Sequence, residues 1–148
     1  MAAHTPPTPP YPYLFSLDVQ QRFNDVDMFG HLNNSVYLQF FDLAKYRYFR
    51  KVMGDDFDMR SLAVVIVNIN CNFYEPAFLD EPLTVLTAVA SIGEKSLTLD
   101  QRIVNPQTGH VKCTGTTIMA GIDLATLQSA PIPDFARRNI IRFEGREM

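Results

Sequence analysis

Asp25 and Asp27 stand two residues apart, His31 follows four residues after the second, and Asn33 and Asn34 close the same polar run. These side chains are suited to chemistry at a carbonyl. An aspartate has an ordinary pKa near 3.9 and is ionised at neutral pH, which suits a nucleophile. A general base works better with a pKa nearer 7, and burial of Asp27 or the charge of Asp25 would raise it in that direction. Both roles stay open for Asp27. His31 can orient that carboxylate, position water or donate to a carbonyl. Gly30 has no Cβ, so its backbone can approach a ligand closely. Asp25 reads as an organiser of the loop, because Asx side chains satisfy turns. Asp25, Asp27 and His31 also have a spacing that a metal would accept, but no fourth ligand accompanies them.

What must position this run follows directly after it. Residues 34–53 have no Gly or Pro in their interior and end at Gly54, and Asn33, Asn34 or Ser35 can cap the start. They predict one long helix. Its first amides would be unpaired and would lie at the positive end of the helix dipole, beside Asp27 and His31. Such N–H groups can hold a developing oxyanion while the carboxylate attacks or activates water. Apolar residues occupy most of the girth of this helix, at 36, 37, 38, 40, 41, 43, 44, 46, 48, 49 and 52, so it must be enclosed on several sides.

The enclosing surface is predicted to be a sheet. Alternation marks strands at 14–23, 62–74, 83–92, 96–104 and 111–122. In the second of these, Val65, Val67, Ile69, Cys71 and Phe73 are expected on one face and Asn68, Asn70 and Asn72 on the other. Turns at Asp80-Glu81-Pro82, Gly93-Glu94-Lys95 and 105–109 make the later strands antiparallel neighbours. A short helix follows at about 134–143. A 20-residue helix is about 30 Å long, and a strand of ten or so residues matches it. The expectation is an α+β domain over 14–148, in which an antiparallel sheet of about five strands wraps one central helix.

Composition narrows the function classes. The chain has 148 residues, 47% hydrophobic and 20% charged, with a net charge of −3. That balance disfavours a general nucleic-acid binder, which needs a cationic excess. No apolar run approaches the length of a membrane span. Cys71 and Cys113 read as free thiols of a cytoplasmic enzyme. Half of the ten prolines fall in residues 1–13, which read as a flexible leader.

The run Asp25-x-Asp27-x-x-Gly30-His31-x-Asn33-Asn34-x-x-Tyr37 with an aromatic helix behind it resembles the 4-hydroxybenzoyl-CoA thioesterase-like family of hot-dog enzymes. It also looks like the plant acyl-carrier-protein thioesterases. The resemblance implies hydrolysis of an acyl-CoA or acyl-carrier-protein thioester. It makes Asp27 and His31 the catalytic pair and assigns Gly30, Asn33, Asn34 and Tyr37 to substrate binding. It implies no metal or other cofactor, and a homodimer or homotetramer whose sheets join edge to edge. Glu75, at Tyr74-Glu75-Pro76, reads as a turn carboxylate, although some plant-like members use a glutamate nearby. Arg60, Lys95, Lys112, Arg137 and Arg138 are candidate ligands for CoA phosphates. The competing functions are a hot-dog dehydratase, which the Asp27-to-His31 loop disfavours, and a non-catalytic acyl-binding hot dog.

Overall fold

The computed structural model describes residues 5–148, and residues 1–4 of the leader lie outside them. Five strands and two α-helices follow in the order β1 (Phe15–Val19), α1 (Asn34–Met53), β2 (Val64–Phe73), β3 (Leu83–Ile92), β4 (Ser96–Val104), β5 (Val111–Gly121) and α2 (Asp134–Glu144). All strand pairs are antiparallel, and the sheet order is β1-β3-β4-β5-β2. The sheet packs on α1 in the expected hot-dog arrangement. Helix α1 spans the predicted residues, and Gly54 ends it at φ +109°, donating its N–H to Arg50 O at 2.9 Å. Its N-cap is Asn33, but the Asn33 side chain makes no capping bond.

The core falls into two apolar groups along the helix. Val36, Tyr37, Phe40, Phe41 and Ala44 pack with Val85, Ile103 and Cys113 near the start of α1. Tyr48 and Phe49 pack with Val89, Leu97, Leu99 and Ile140 near its end. Between them runs a cross-strand row that includes Thr87, Gln101 and Gly115. Buried Gln101 donates to Thr87 Oγ1 and to Phe41 O, both at 3.0 Å, so the polar row is tied to the helix backbone. A Cβ on Gly115 would stand 2.7 Å from the Phe41 ring, so only glycine lets that ring lie on the sheet.

Two sequence expectations need correcting. The first strand is shorter than predicted: pairing stops at Val19, and a single 3-10 turn occupies Phe23–Asp25. In β2 the register to β5 shifts between Ile66 and Asn68, which leaves Val67 as the extra residue of a bulge. The bulge moves Val64 and Ile66, not Val65 and Val67, onto the face shared by Ile69, Cys71 and Phe73. Strict alternation cannot foresee an inserted residue. Ahead of β1, Thr5–Tyr13 forms no helix or strand and lies across the outer face of the sheet. Tyr11 Oη donates to Asp100 Oδ2 at 2.8 Å, and Arg102 donates to Tyr13 Oη at 2.9 Å and also to Pro7 O.

The two sheet edges are treated differently. β1 covers only the first half of β3. Beyond it, the end of α2 takes over: buried Glu144 accepts from the Val89 N–H at 3.0 Å, and Arg146 donates to the carbonyls of Val89 and Ala90. Among the described residues nothing covers β2 in this way. It is ten residues long, and Val65, Ile66, Val67, Ile69 and Phe73 are all exposed on it.

Candidate active site

The Asp27 carboxylate organises the loop that carries it. Its Oδ1 accepts from the Phe29 N–H at 2.9 Å and from the His31 N–H at 3.1 Å. Two backbone bonds close the same turn, Gly30 N–H to Asp27 O at 3.0 Å and Asp27 N–H to His31 O at 2.9 Å, with Gly30 at φ +77°. Both side-chain bonds therefore fall on Oδ1. Oδ2 accepts none among the described residues, and the side chain is exposed rather than buried. His31 thus holds Asp27 through its backbone amide. Its imidazole packs instead edge to face on Phe78, with centroids 5.0 Å apart.

Asp25 plays a different part from Asp27. It is 2% exposed, and its carboxylate accepts from the Arg22 N–H at 2.8 Å and pairs with the Arg22 guanidinium at 3.0 Å. Those bonds from Arg22 hold its pKa below the ordinary range, against the upward push of burial. Its carbonyl accepts the Asn33 N–H at 2.9 Å, which seats the start of α1. Among the described residues no group of three or more His, Cys, Asp or Glu stands close enough to hold a metal ion.

A cleft of about 330 Å³ brings Asp27, His31, Asn34 and Tyr37 together with Phe73, Tyr74, Glu75 and Pro76. Gly30 lies in the wall of the Asp27 turn rather than in the cleft lining, and Asn33 is at the helix cap. The amides around the helix start can be assigned one by one. Those of Gly30, His31, Leu32 and Asn33 all have acceptors in the protein. The amides of Asn34 and Ser35 open α1 and have none among the described residues, as expected for a first helical turn. Tyr37 is buried, and burial pushes its pKa up to about 12, so its hydroxyl keeps its proton. Its oxygen accepts the Ala77 N–H at 3.2 Å, which leaves the O–H free to donate.

Sequence reasoning gave Glu75 only a turn role, yet it lines the cleft. Its carboxylate is bound to Lys112 at 2.6 Å and lies 3.3 Å from His110 Nδ1. The bond from Lys112 holds its pKa below the usual carboxylate range, so it is a poor proton acceptor at neutral pH. No sequence signal marked this pair: alternation places Lys112 with Thr114 and Thr116 on the outer face. It is buried where the β4–β5 register shifts, although lysine is rarely buried unless paired. Lys112 is 4% exposed and is not a cation free for phosphate. Arg60 is paired with Asp58 at 3.1 Å, and Arg137 donates to Gly93 O at 2.8 Å. Asp42 faces outward on α1, paired with Lys45 at 3.3 Å.

A family model described as "Thioesterase-like superfamily" matches residues 21–140. The chain is 28% identical over 125 residues to the long-chain acyl-CoA thioesterase FadM of Escherichia coli K12, covering 82% of this chain and 93% of FadM. It is 27% identical over 110 residues to the uncharacterised protein YsmA of Bacillus subtilis 168, covering 74% of each. In three dimensions it is similar to a thioesterase of Thermus thermophilus solved with coenzyme A and Zn. That similarity has a TM-score of 0.79 at 26% identity, over 90% of this chain and 96% of the other.

Proposed function

Since the chain belongs to the thioesterase-like superfamily, we propose that it is an acyl-CoA thioesterase whose reacting carboxylate is Asp27. One observation carries the assignment of the site. In a single cleft at the start of α1, Asp27 has its Oδ2 open, while Asn34, whose amide opens the helix, and Tyr37, whose hydroxyl is free to donate, line the same space, with the Ser35 amide next along the helix. The thioester carbonyl oxygen is received by the N–H of Asn34 or Ser35, where negative charge develops at the positive end of the helix. A well-placed donor of this kind is worth roughly 3–4 kcal/mol in the transition state.

Two routes balance. Oδ2 adds to the carbonyl carbon, the C–S bond breaks, CoA leaves as thiolate, and water then hydrolyses the acyl–Asp27 anhydride. Alternatively, Oδ2 takes a proton from water, the resulting hydroxide adds to the carbon, and collapse expels the thiolate, which picks up the proton. Both give the free acid and CoA. The FadM similarity supports a CoA ester as substrate, and long-chain acyl groups are the first to try. His31 borders the reacting groups and orders water or the carbonyl within the cleft.

The site is completed by a second copy of this chain joined along β2. The length of the β2 edge and the apolar side chains exposed on it support that choice, because a long exposed edge invites strand pairing. Release of CoA thiol from a panel of short, long and aromatic acyl-CoAs tests the proposal. Hydrolysis of at least one member is expected, and failure with every member overturns it.

A further inference from the structure

Lys112, the second residue of β5, is a buried ammonium with three acceptors for its three N–H groups. Nζ lies 2.6 Å from Glu75 Oε1, 2.7 Å from Glu81 Oε2 and 3.3 Å from Pro76 O. Glu81 is in turn fully engaged. Its Oε2 accepts from Asn105 Nδ2 at 2.8 Å, its Oε1 accepts from the Phe78 N–H at 3.0 Å, and its N–H donates to Phe78 O at 3.1 Å. The connection from β2 to β3 is thus folded around one cation.

The other side of this connection is what the catalytic cleft leans on. Ala77 O accepts the Leu32 N–H at 2.8 Å, and the Ala77 N–H donates to Tyr37 Oη at 3.2 Å. Phe78 bridges to His31 through the backbone and carries the imidazole on its ring at an interplanar angle of 82°. A chain of contacts therefore runs from Lys112 through residues 75–81 to His31 and Tyr37.

We propose that Lys112 is a positioning residue of the reaction: by clamping the 75–81 loop it sets where the His31 imidazole and the Tyr37 hydroxyl stand. It also keeps the Glu75 carboxylate occupied, so that Asp27 is the carboxylate left to react. The proposal rests on the reading of the Asp27 cleft as the active site. A hydrophobic side chain would fill the space of a buried ion pair at little cost in stability, so stability alone gives weak reason for an ammonium here. A three-pronged cation does fix the geometry of an irregular loop.

The charged and titratable groups facing the clamp come from four places. Glu75 and Glu81 are in the loop, and His110 is in the β4–β5 connection. Asp27 and His31 belong to the catalytic loop and Tyr37 to α1. Without the ammonium, Glu75 and Glu81 face each other uncompensated, and one of them binds a proton at higher pH than before. Burial is the largest single influence on both Glu81 and Lys112 and opposes their charge, but their partners together outweigh it: Lys112, Asn105 and the Phe78 N–H lower the pKa of Glu81, and Glu75 and Glu81 raise that of Lys112.

Lys112→Met, Lys112→Arg and Glu75→Gln are compared with the native protein by far-UV circular dichroism, acyl-CoA hydrolysis and the NMR signals of the His31 ring. In folded Lys112→Met, kcat is expected to fall by about tenfold to a hundredfold. KM stays within about threefold, and Lys112→Arg restores part of the loss. The variant's kcat/KM gains an acid limb that adding Glu75→Gln moves to lower pH, and its His31 signal shifts. A folded Lys112→Met with native kcat and an unmoved His31 signal overturns the proposal. Should Lys112→Met not fold, Glu75→Gln decides: a displaced His31 signal supports the clamp, an unmoved one overturns it. A native protein that hydrolyses nothing defeats the proposed function instead, and the His31 signal still tests the positioning.

Discussion

Two aspartates two residues apart are read by their surroundings into unlike roles. Asp25 is buried on Arg22 and builds the loop, and Asp27 is exposed with one oxygen bound and one open. The sequence already reads Asp25 as the organiser of the loop and Asp27 as the candidate reacting group. What it does not show is the partner, because the burial of Asp25 on Arg22 depends on how the chain folds over it. The pairing of Asp25 has a consequence for acid stability. Asp25, Glu75 and Glu81 all have lowered pKa values when folded. Their contribution is present above the unfolded values of about 3.9 and 4.3 and is lost as pH falls through the folded ones. Lys112 has the opposite sign, contributing below about 10.4 and losing its contribution as pH rises through its raised folded value. The urea midpoint is therefore expected to be level between about pH 5 and 9 and to drop below about pH 4.5. Asp25→Asn should lower the plateau and flatten the acid slope. An unchanged slope would show that Asp25 is not ion-paired in solution.

Among the elements, α1 and strands β3 to β5 are legible in the sequence because their signals are local: helix stop, alternation and tight turns. What escapes is set by partners distant in the chain. The Val67 bulge exists only against β5, and the clamp on the 75–81 loop needs Lys112. The capping of β3 by α2 is of the same kind. Glu144 Oε1 accepts from Tyr48 Oη at 2.9 Å and from the Val89 N–H at 3.0 Å, tying the chain's end to the central helix and the sheet at once. Glu144→Ala leaves both donors buried without a partner, at a cost of about 2–4 kcal/mol. Chemical denaturation should show that loss, with native activity retained in the folded fraction. A change under about 0.5 kcal/mol, typical of a neutral surface site, would contradict the capping role.

The two edge strands of the sheet differ in length: β1 has five residues, with the end of α2 and the segment after it covering the part of β3 beyond it, and β2 has ten. In the proposed assembly the ten-residue β2 edge pairs with a second copy, while Thr5–Tyr13 crosses the outer face of the sheet. Val67, 59% exposed at the bulge, is the place to test that pairing. The native protein is expected to sediment as a dimer or a multiple of it, and Val67→Lys as a folded monomer with little activity, since a lysine on an edge opposes pairing. A native protein that is monomeric and fully active would refute assembly through β2. The central claim, that Asp27 carries the hydrolysis of an acyl-CoA, is tested most directly by thiol release from the best acyl-CoA substrate by native protein and by Asp27→Asn. The amide keeps an oxygen for the Phe29 and His31 N–H groups, so the loop is expected to stay folded while kcat falls by about a hundredfold or more. Equal rates in the two proteins would remove Asp27 from the reaction.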